Sequence, residues 1–235
     1  MKKKVFVKRI VVVLFFLIIC TVGFVVWASF YYKADTIAIS TFETLESSGK
    51  AEKVDNMILM HPSSSNGTGI IFYPGAKVET IAYIPLFEEL RQHGFTCVLI
   101  EMPLHLSFFN SNAADDVYEL VPSINNWYIA GHSLGGAMAS DYASKNPEKV
   151  EGLIVMGAYV YGNYPPTRAL TVYGTFNADL EKNIDYSDNI VIIDGGNHAQ
   201  FGNYGKQKGD PDSTISSKDQ QVQTVNAIVQ FIGNH

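Results

Sequence analysis

Beyond residue 32 the apolar positions fall into short unbroken runs. They are Met57–Met60, Gly69–Tyr73, Cys97–Met102, Trp127–Ala130, Leu153–Met156, Ala169–Tyr173 and Ile190–Ile193. Continuous rather than alternating runs predict strands buried on both faces. Between them, Thr80–His93, Ala113–Val121, Leu134–Lys145 and Ser217–Ile232 carry helical patterning. Residues 34–48 are predicted as a helix outside the sheet. This βαβα order predicts an α/β fold, with a mostly parallel central sheet and helices on both faces. The punctuation agrees: Gly94 follows Arg91-Gln92-His93 as a left-handed helix stop, and Ser216-Ser217-Lys218-Asp219 opens the last helix as a capping box. Residues 199–215 form a polar, Gly-rich loop, long enough to be functional or mobile. Only residues 157–168 separate two predicted strands, which leaves no room for an inserted lid, so any site there is predicted to be open.

The front of the chain breaks this pattern. Lys2, Lys3, Lys4, Lys8 and Arg9 precede residues 10–32, which carry no charge. About 20 apolar residues cross a bilayer. Trp27, Tyr31 and Tyr32 stand where an interfacial aromatic belt would be, and the basic cluster should stay cytoplasmic. The chain is therefore read as a basic cytoplasmic segment (1–9), a transmembrane anchor (10–32), a juxtamembrane helical segment (33–52) and an extracytoplasmic domain (53–235) at the cell membrane. The alternative is a signal peptide cut after Val26 and Ala28, giving a secreted protein. Ile19 before Cys20 argues against lipoprotein cleavage.

Charge separates the two parts. Five of the 17 Lys+Arg lie before the apolar run, leaving 12 against 23 Asp+Glu, a net of about −11 for the remainder with histidine neutral. An acidic domain is a poor nucleic-acid partner and should not lie flat on anionic lipid. Cys20 and Cys97 fall in the apolar run and in a strand, so no disulfide framework is expected.

Gly131-His132-Ser133-Leu134-Gly135 fits G-x-S-x-G between a predicted strand and a predicted helix. Glycines on both sides give room for a sharp reversal that projects Ser133 Oγ. A Gly-rich turn binding nothing carries the same letters. A serine nucleophile needs a base. Of the two later histidines, His235 ends the sequence, and His198 follows the last strand on a loop at the same sheet edge. Oxyanion donors should be the N–H of Leu134 and an N–H from the loop Pro74-Gly75-Ala76-Lys77, where Ala76 is the choice. His61, His93 and His105 show no metal-ligand spacing, and no phosphate-binding glycine loop occurs. Phe108, Phe109, Tyr159, Tyr161, Tyr164, Phe201 and Tyr204 are candidates to line an acyl or aromatic pocket.

The segments FYPGAKVE, EMPLHLSFF, AGHSLGGAMA, VYGT and GGNHAQFGNYG, in that order, resemble the alpha/beta-hydrolase fold. They are most similar to small, lidless, often membrane-anchored bacterial members. The likeness covers roughly residues 53–232. It implies a serine hydrolase of carboxylesterase type, with Ser133 as nucleophile and His198 as base, acting without metal or organic cofactor on a small-molecule ester-like bond (carboxylic ester, thioester or lactone). It names neither the substrate nor the oligomeric state. In the family the triad acid stands three residues past the glycine of VYGT; here that residue is Asn177, two before Asp179. Asp179, reached by a slipped loop, is preferred because a negative charge stabilises the imidazolium; Asn177 is the alternative. A catalytically impaired binding domain on the same fold is the competing reading.

Overall fold

The computed structural model describes residues 2–234, so His235 lies outside it. The chain divides after Tyr31 into two compact units. The first is helix α1 (Lys2–Ser29), within which Lys8–Ser29 is long and apolar enough to cross a bilayer, a test that a signal sequence also passes. The helix stops three residues before the end of the uncharged run.

Tyr32 belongs to the second unit, where it forms a parallel bridge with Val78. That unit continues through α2 (Thr36–Ser47), β1 (Ala51–Val54), β2 (Met57–Met60), β3 (Thr68–Tyr73), α3 (Ile84–Gln92), β4 (Thr96–Ile100), α4 (Ala114–Leu120) and β5 (Asn126–His132). It closes with α5 (Leu134–Lys145), β6 (Gly152–Met156), β7 (Ala169–Gly174), α6 (Ala178–Glu181), β8 (Ile190–Ile193) and α7 (Ser217–Gly233).

The eight strands form one sheet in the order β1-β2-β4-β3-β5-β6-β7-β8. β2 pairs antiparallel with β1 and β4; every other pairing is parallel. The predicted α/β architecture is present, and β1 and α6 join it. The second unit begins at 32 rather than 53, because α2 buries Ala38, Phe42 and Leu45 at helical spacing and β1 covers the edge of β2.

Strand residues alternate between two cores. Ile70, Phe72, Leu99 and Ile154 face α2, α3 and α7; Ile71, Tyr73, Val98 and Val155 face α4 and α5. Cys97 is fully buried and burial pushes its thiol pKa upward, so it is packing and not a nucleophile. Parallel strands carry all their C-terminal ends to one rim, where the loops after β3, β5, β7 and β8 emerge.

Residues 32–35 strap two of those loops. Tyr32 N–H donates to Lys77 O (2.7 Å), Glu79 N–H donates to Tyr32 O (2.9 Å), and Ala34 N–H donates to Glu79 Oε2 (2.8 Å). On the other side Asp35 N–H donates to Asn203 O (2.8 Å), and Lys208 N–H donates to the Tyr32 hydroxyl (3.1 Å). Asp35 also caps α2 by accepting from Ala38 N–H (2.9 Å).

Candidate active site

Ser133 joins β5 to α5 with φ 54° and ψ −122°, a conformation that L-residues avoid and that costs about 1–3 kcal/mol. The surrounding structure imposes it. Ser133 N–H donates to Met156 O (3.0 Å), and Ala137 N–H returns to Ser133 O (3.1 Å). The turn is so tight that a Cβ on Gly135 would run into Tyr73 O and Pro74 O, and one on Gly131 into Gly135 O. Ser133 is half-buried, and its hydroxyl makes no hydrogen bond among the described residues.

Two amides beside it are also without a partner among the described residues: Leu134 N–H, at the start of α5, and Ala76 N–H. The backbone around Ala76 is pinned. Gly75 N–H donates to the Tyr83 hydroxyl (3.1 Å), Lys77 N–H donates to His105 O (2.7 Å), and Val78 N–H returns to Gly75 O (3.2 Å). Free amides on a fixed backbone suit an oxyanion better than groups that must reorganise.

His198 reaches the same rim from the loop after β8. Gln220 of α7 fixes the preceding peptide: Asn197 N–H donates to Gln220 Oε1 (3.0 Å), and Gln220 Nε2 donates to Asn197 O (2.9 Å). The His198 ring packs against that of His132, tilted by 41° with 4.7 Å between centroids. Burial lowers its pKa, so it is neutral and available as a base at pH 7. The Ser133 hydroxyl and the His198 imidazole are not hydrogen-bonded to each other here. Such bonds often tighten only in the substrate complex.

Of the two residues proposed from sequence for the third place, Asn177 lies against the imidazole, with its amide nitrogen 3.1 Å from His198 Nδ1. With the nitrogen facing it, Nδ1 accepts and the ring proton sits on Nε2. With the amide turned over, Oδ1 accepts from Nδ1–H and Nε2 is free to take a proton. Asp179, preferred from sequence, is elsewhere: its side chain is 93% exposed and paired with Lys182 at 2.7 Å. The reason is local. α6 starts at Ala178, so Asp179 falls in its first turn and meets Lys182 at i+3 instead of the rim.

Sequence reasoning missed the group beneath the site. His132 is fully buried; its Nδ1 stands 2.8 Å from the Tyr83 hydroxyl and its Nε2 3.0 Å from His198 O. A carbonyl only accepts, so Nε2 carries the proton and Nδ1 accepts from the Tyr83 O–H. Tyr83 in turn accepts from Gly75 N–H. The relay ties the oxyanion loop, the serine turn and the histidine loop together. A histidine entering a buried strand end was the available signal, since such a side chain must find two partners.

This burial sets a pH dependence of stability. The His132 pKa lies well below 6.5, burial being the largest cause, and those of His198 and His105 are lowered in the same direction. Below about pH 6.5 the unfolded chain binds more protons than the folded one, so stability falls on acidification. Stability, and with it Tm, is expected to be flat from pH 8 to about 6.5 and to fall below that, with a slope of up to about 1.4 kcal/mol per pH unit for each of the buried imidazoles His132 and His198 until its folded pKa is reached, and a smaller, solvent-screened contribution from the half-exposed His105. Thermal unfolding at stepped pH checks this; a Tm unchanged between pH 6.5 and 5 would contradict buried neutral imidazoles.

An open cavity of about 450 Å³ borders His198 away from Ser133, lined by Phe176, Asn177, Asp179, Lys208 and Asp210 among others. Of the aromatic candidates, Phe108, Phe109 and Tyr161 are exposed, whereas Tyr164, Phe201 and Tyr204 are buried in the cores.

Residues 69–222, roughly two thirds of the chain, match the family model described as alpha/beta hydrolase family. The chain belongs to the alpha/beta hydrolase family. The chain is 29% identical over 104 residues to the abhydrolase domain-containing protein lid-1 of Caenorhabditis elegans, covering 39% of this chain and 29% of that one. It is 23% identical over 143 residues to a protein of Mycobacterium phage D29 described as a non-heme haloperoxidase, covering 56% of this chain and 51% of that one. The chain thus spans about half of one curated relative and under a third of the other. Among solved structures it is similar in fold to Est1E from Butyrivibrio proteoclasticus (TM-score 0.55, 16% identity, 78% of this chain and 98% of that one). It is similar likewise to a ferulic acid esterase from Streptomyces cinnamoneus (TM-score 0.53, 16% identity, 75% and 68%).

Proposed function

We propose that this hydrolase cleaves small-molecule ester-like bonds through an acyl-enzyme on Ser133. Ser133 Oγ attacks the carbonyl carbon while His198 Nε2 takes the hydroxyl proton. The N–H groups of Ala76 and Leu134 hold the oxyanion. On collapse, His198 returns the proton to the departing alcohol, thiol or lactone oxygen. Water, deprotonated by the same imidazole, then releases the acid. The observation that carries this reading is Ser133, held in a strained turn between two unpartnered amides with His198 on the same rim. A fold relative named as a ferulic acid esterase supports the ester class, and the short connection between β6 and β7 leaves the site open to substrate.

A second reading, a binding domain with impaired catalysis, is favoured by the amide at 177 and by the unmade Ser133–His198 hydrogen bond. A fluorophosphonate probe separates the two. The enzyme is labelled and the Ser133→Ala variant is not; an unlabelled wild type would leave the binding domain.

We assign helix α1 as a single-pass anchor that keeps the domain outside the cytoplasmic membrane, supported by its length and the basic cluster before it. Full-length protein expressed in bacteria is expected to stay with membranes through an alkaline wash. Release, with a mature N-terminus near residue 29, would replace the anchor by a cleaved signal.

A further inference from the structure

An imidazole that becomes imidazolium in a partly buried site needs a negative charge nearby, and Asn177 has none. Several titratable or charged groups surround His198. His132 is buried and neutral beneath it, and the Tyr83 and Tyr204 phenols are kept protonated by burial. Lys208 is exposed at the far wall of the adjoining cavity, and Asp179 is exposed and neutralised by Lys182. Asp210 is different. Its Oδ1 accepts from His198 N–H (3.1 Å) and its Oδ2 from Ala199 N–H (2.8 Å).

Those two bonds fix the carboxylate to the backbone of the base itself. The loop carrying it is tied again next door, where Asn197 Nδ2 donates to Pro211 O (2.8 Å). Ser213 Oγ donates to Gly195 O (2.6 Å), and Thr214 N–H donates to the same oxygen (3.0 Å). The long polar loop after β8 thus folds back to place one acid beside the histidine.

We propose that Asp210 is a positioning residue that supplies the negative charge stabilising the His198 imidazolium, from the backbone side of the ring and in place of a carboxylate at 177. This rests on the assignment of Ser133 and His198 as nucleophile and base. Both Asp210 oxygens are spent on amides, so it acts through space and through the orientation of the loop. The electrostatics run in the required direction: the Asp210 charge raises the His198 pKa against the lowering by burial. No covalent step changes; only the charged intermediate is stabilised.

The test is Asp210→Asn in the full-length protein, measured with a p-nitrophenyl ester across pH. The kcat is expected to fall about 10-fold, the scale of one unit charge several ångströms away in a partly screened site. The acidic limb of the kcat/KM profile should move to lower pH by about half a unit to one unit, because the imidazolium has lost support. Adding Asn177→Asp to Asp210→Asn should then raise kcat by a larger factor than Asn177→Asp does alone. A fall in kcat with the limb unmoved, or an equal factor in both backgrounds, would reduce Asp210 to a loop tie and overturn the proposal. So would no change at all.

NMR titration of His198 in the same pair of proteins separates this from the reading on which it rests. Loss of the charge should lower the His198 pKa whatever the catalytic rate. An unmoved titration sinks the Asp210 assignment, whereas an inactive wild type with a shifted titration sinks the esterase reading alone.

Discussion

Ser133→Ala is expected to lower ester hydrolysis by about 10⁴–10⁶-fold while leaving the fold intact. In the proposed mechanism the hydroxyl is the bond-forming group, and its removal would leave only substrate binding and the oxyanion contacts proposed for Ala76 and Leu134. Alanine at φ 54° carries the same strain as serine, so Tm should hardly move. Ser133→Gly makes the useful companion. It should be equally inactive, yet more stable by about 1 kcal/mol or somewhat more, since glycine tolerates the turn. Steady-state rates and thermal unfolding of the three proteins check this. More than one per cent of wild-type kcat in Ser133→Ala would mean that the nucleophile lies elsewhere.

Asn177→Asp is expected to raise kcat by about 10- to 10³-fold, bounded by the roughly 10⁴-fold cost of the opposite change in serine proteases. An amide at 3.1 Å from His198 Nδ1 can face the ring in either orientation, and one of the two stabilises the wrong tautomer. A carboxylate can only accept, so it fixes the proton on Nδ1 and frees Nε2 for serine. It also adds charge. The His198 pKa, lowered by burial, should rise, and the acidic limb of the rate profile should move to higher pH. An unchanged rate and limb would show that position 177 does not address the imidazole during turnover.

The strands were legible because a sheet covered on both faces writes itself as unbroken apolar runs, as in Ile70-Ile71-Phe72. β1 was not: Ala51-Glu52-Lys53-Val54 is a half-solvated antiparallel edge, and its two adjacent charged residues between single apolar ones give neither a run nor an alternation. The serine turn could be read because close approach of backbone leaves its mark as Gly131 and Gly135. His198 could be placed by strand order alone. The choice between Asn177 and Asp179 could not, since it depends on where a four-residue helix begins. The partners of Tyr83, His132 and Asp210 could not be read for another reason. Their partnerships join residues 49, 66 and 12 positions apart, and only the folded chain brings them together.

The strap at 32–35 ties the start of the second unit to two loops at its rim. Tyr32 holds the backbone next to Ala76, and Asp35 and Tyr32 hold the loop that follows His198. A soluble fragment has to begin at or before Tyr32. One trimmed at 53 loses the strap, the Asp35 cap and the cover over β2 together. Residues 32–52 are thus part of what holds the rim loops in place, and a boundary drawn at the sheet alone would cut into the folded unit.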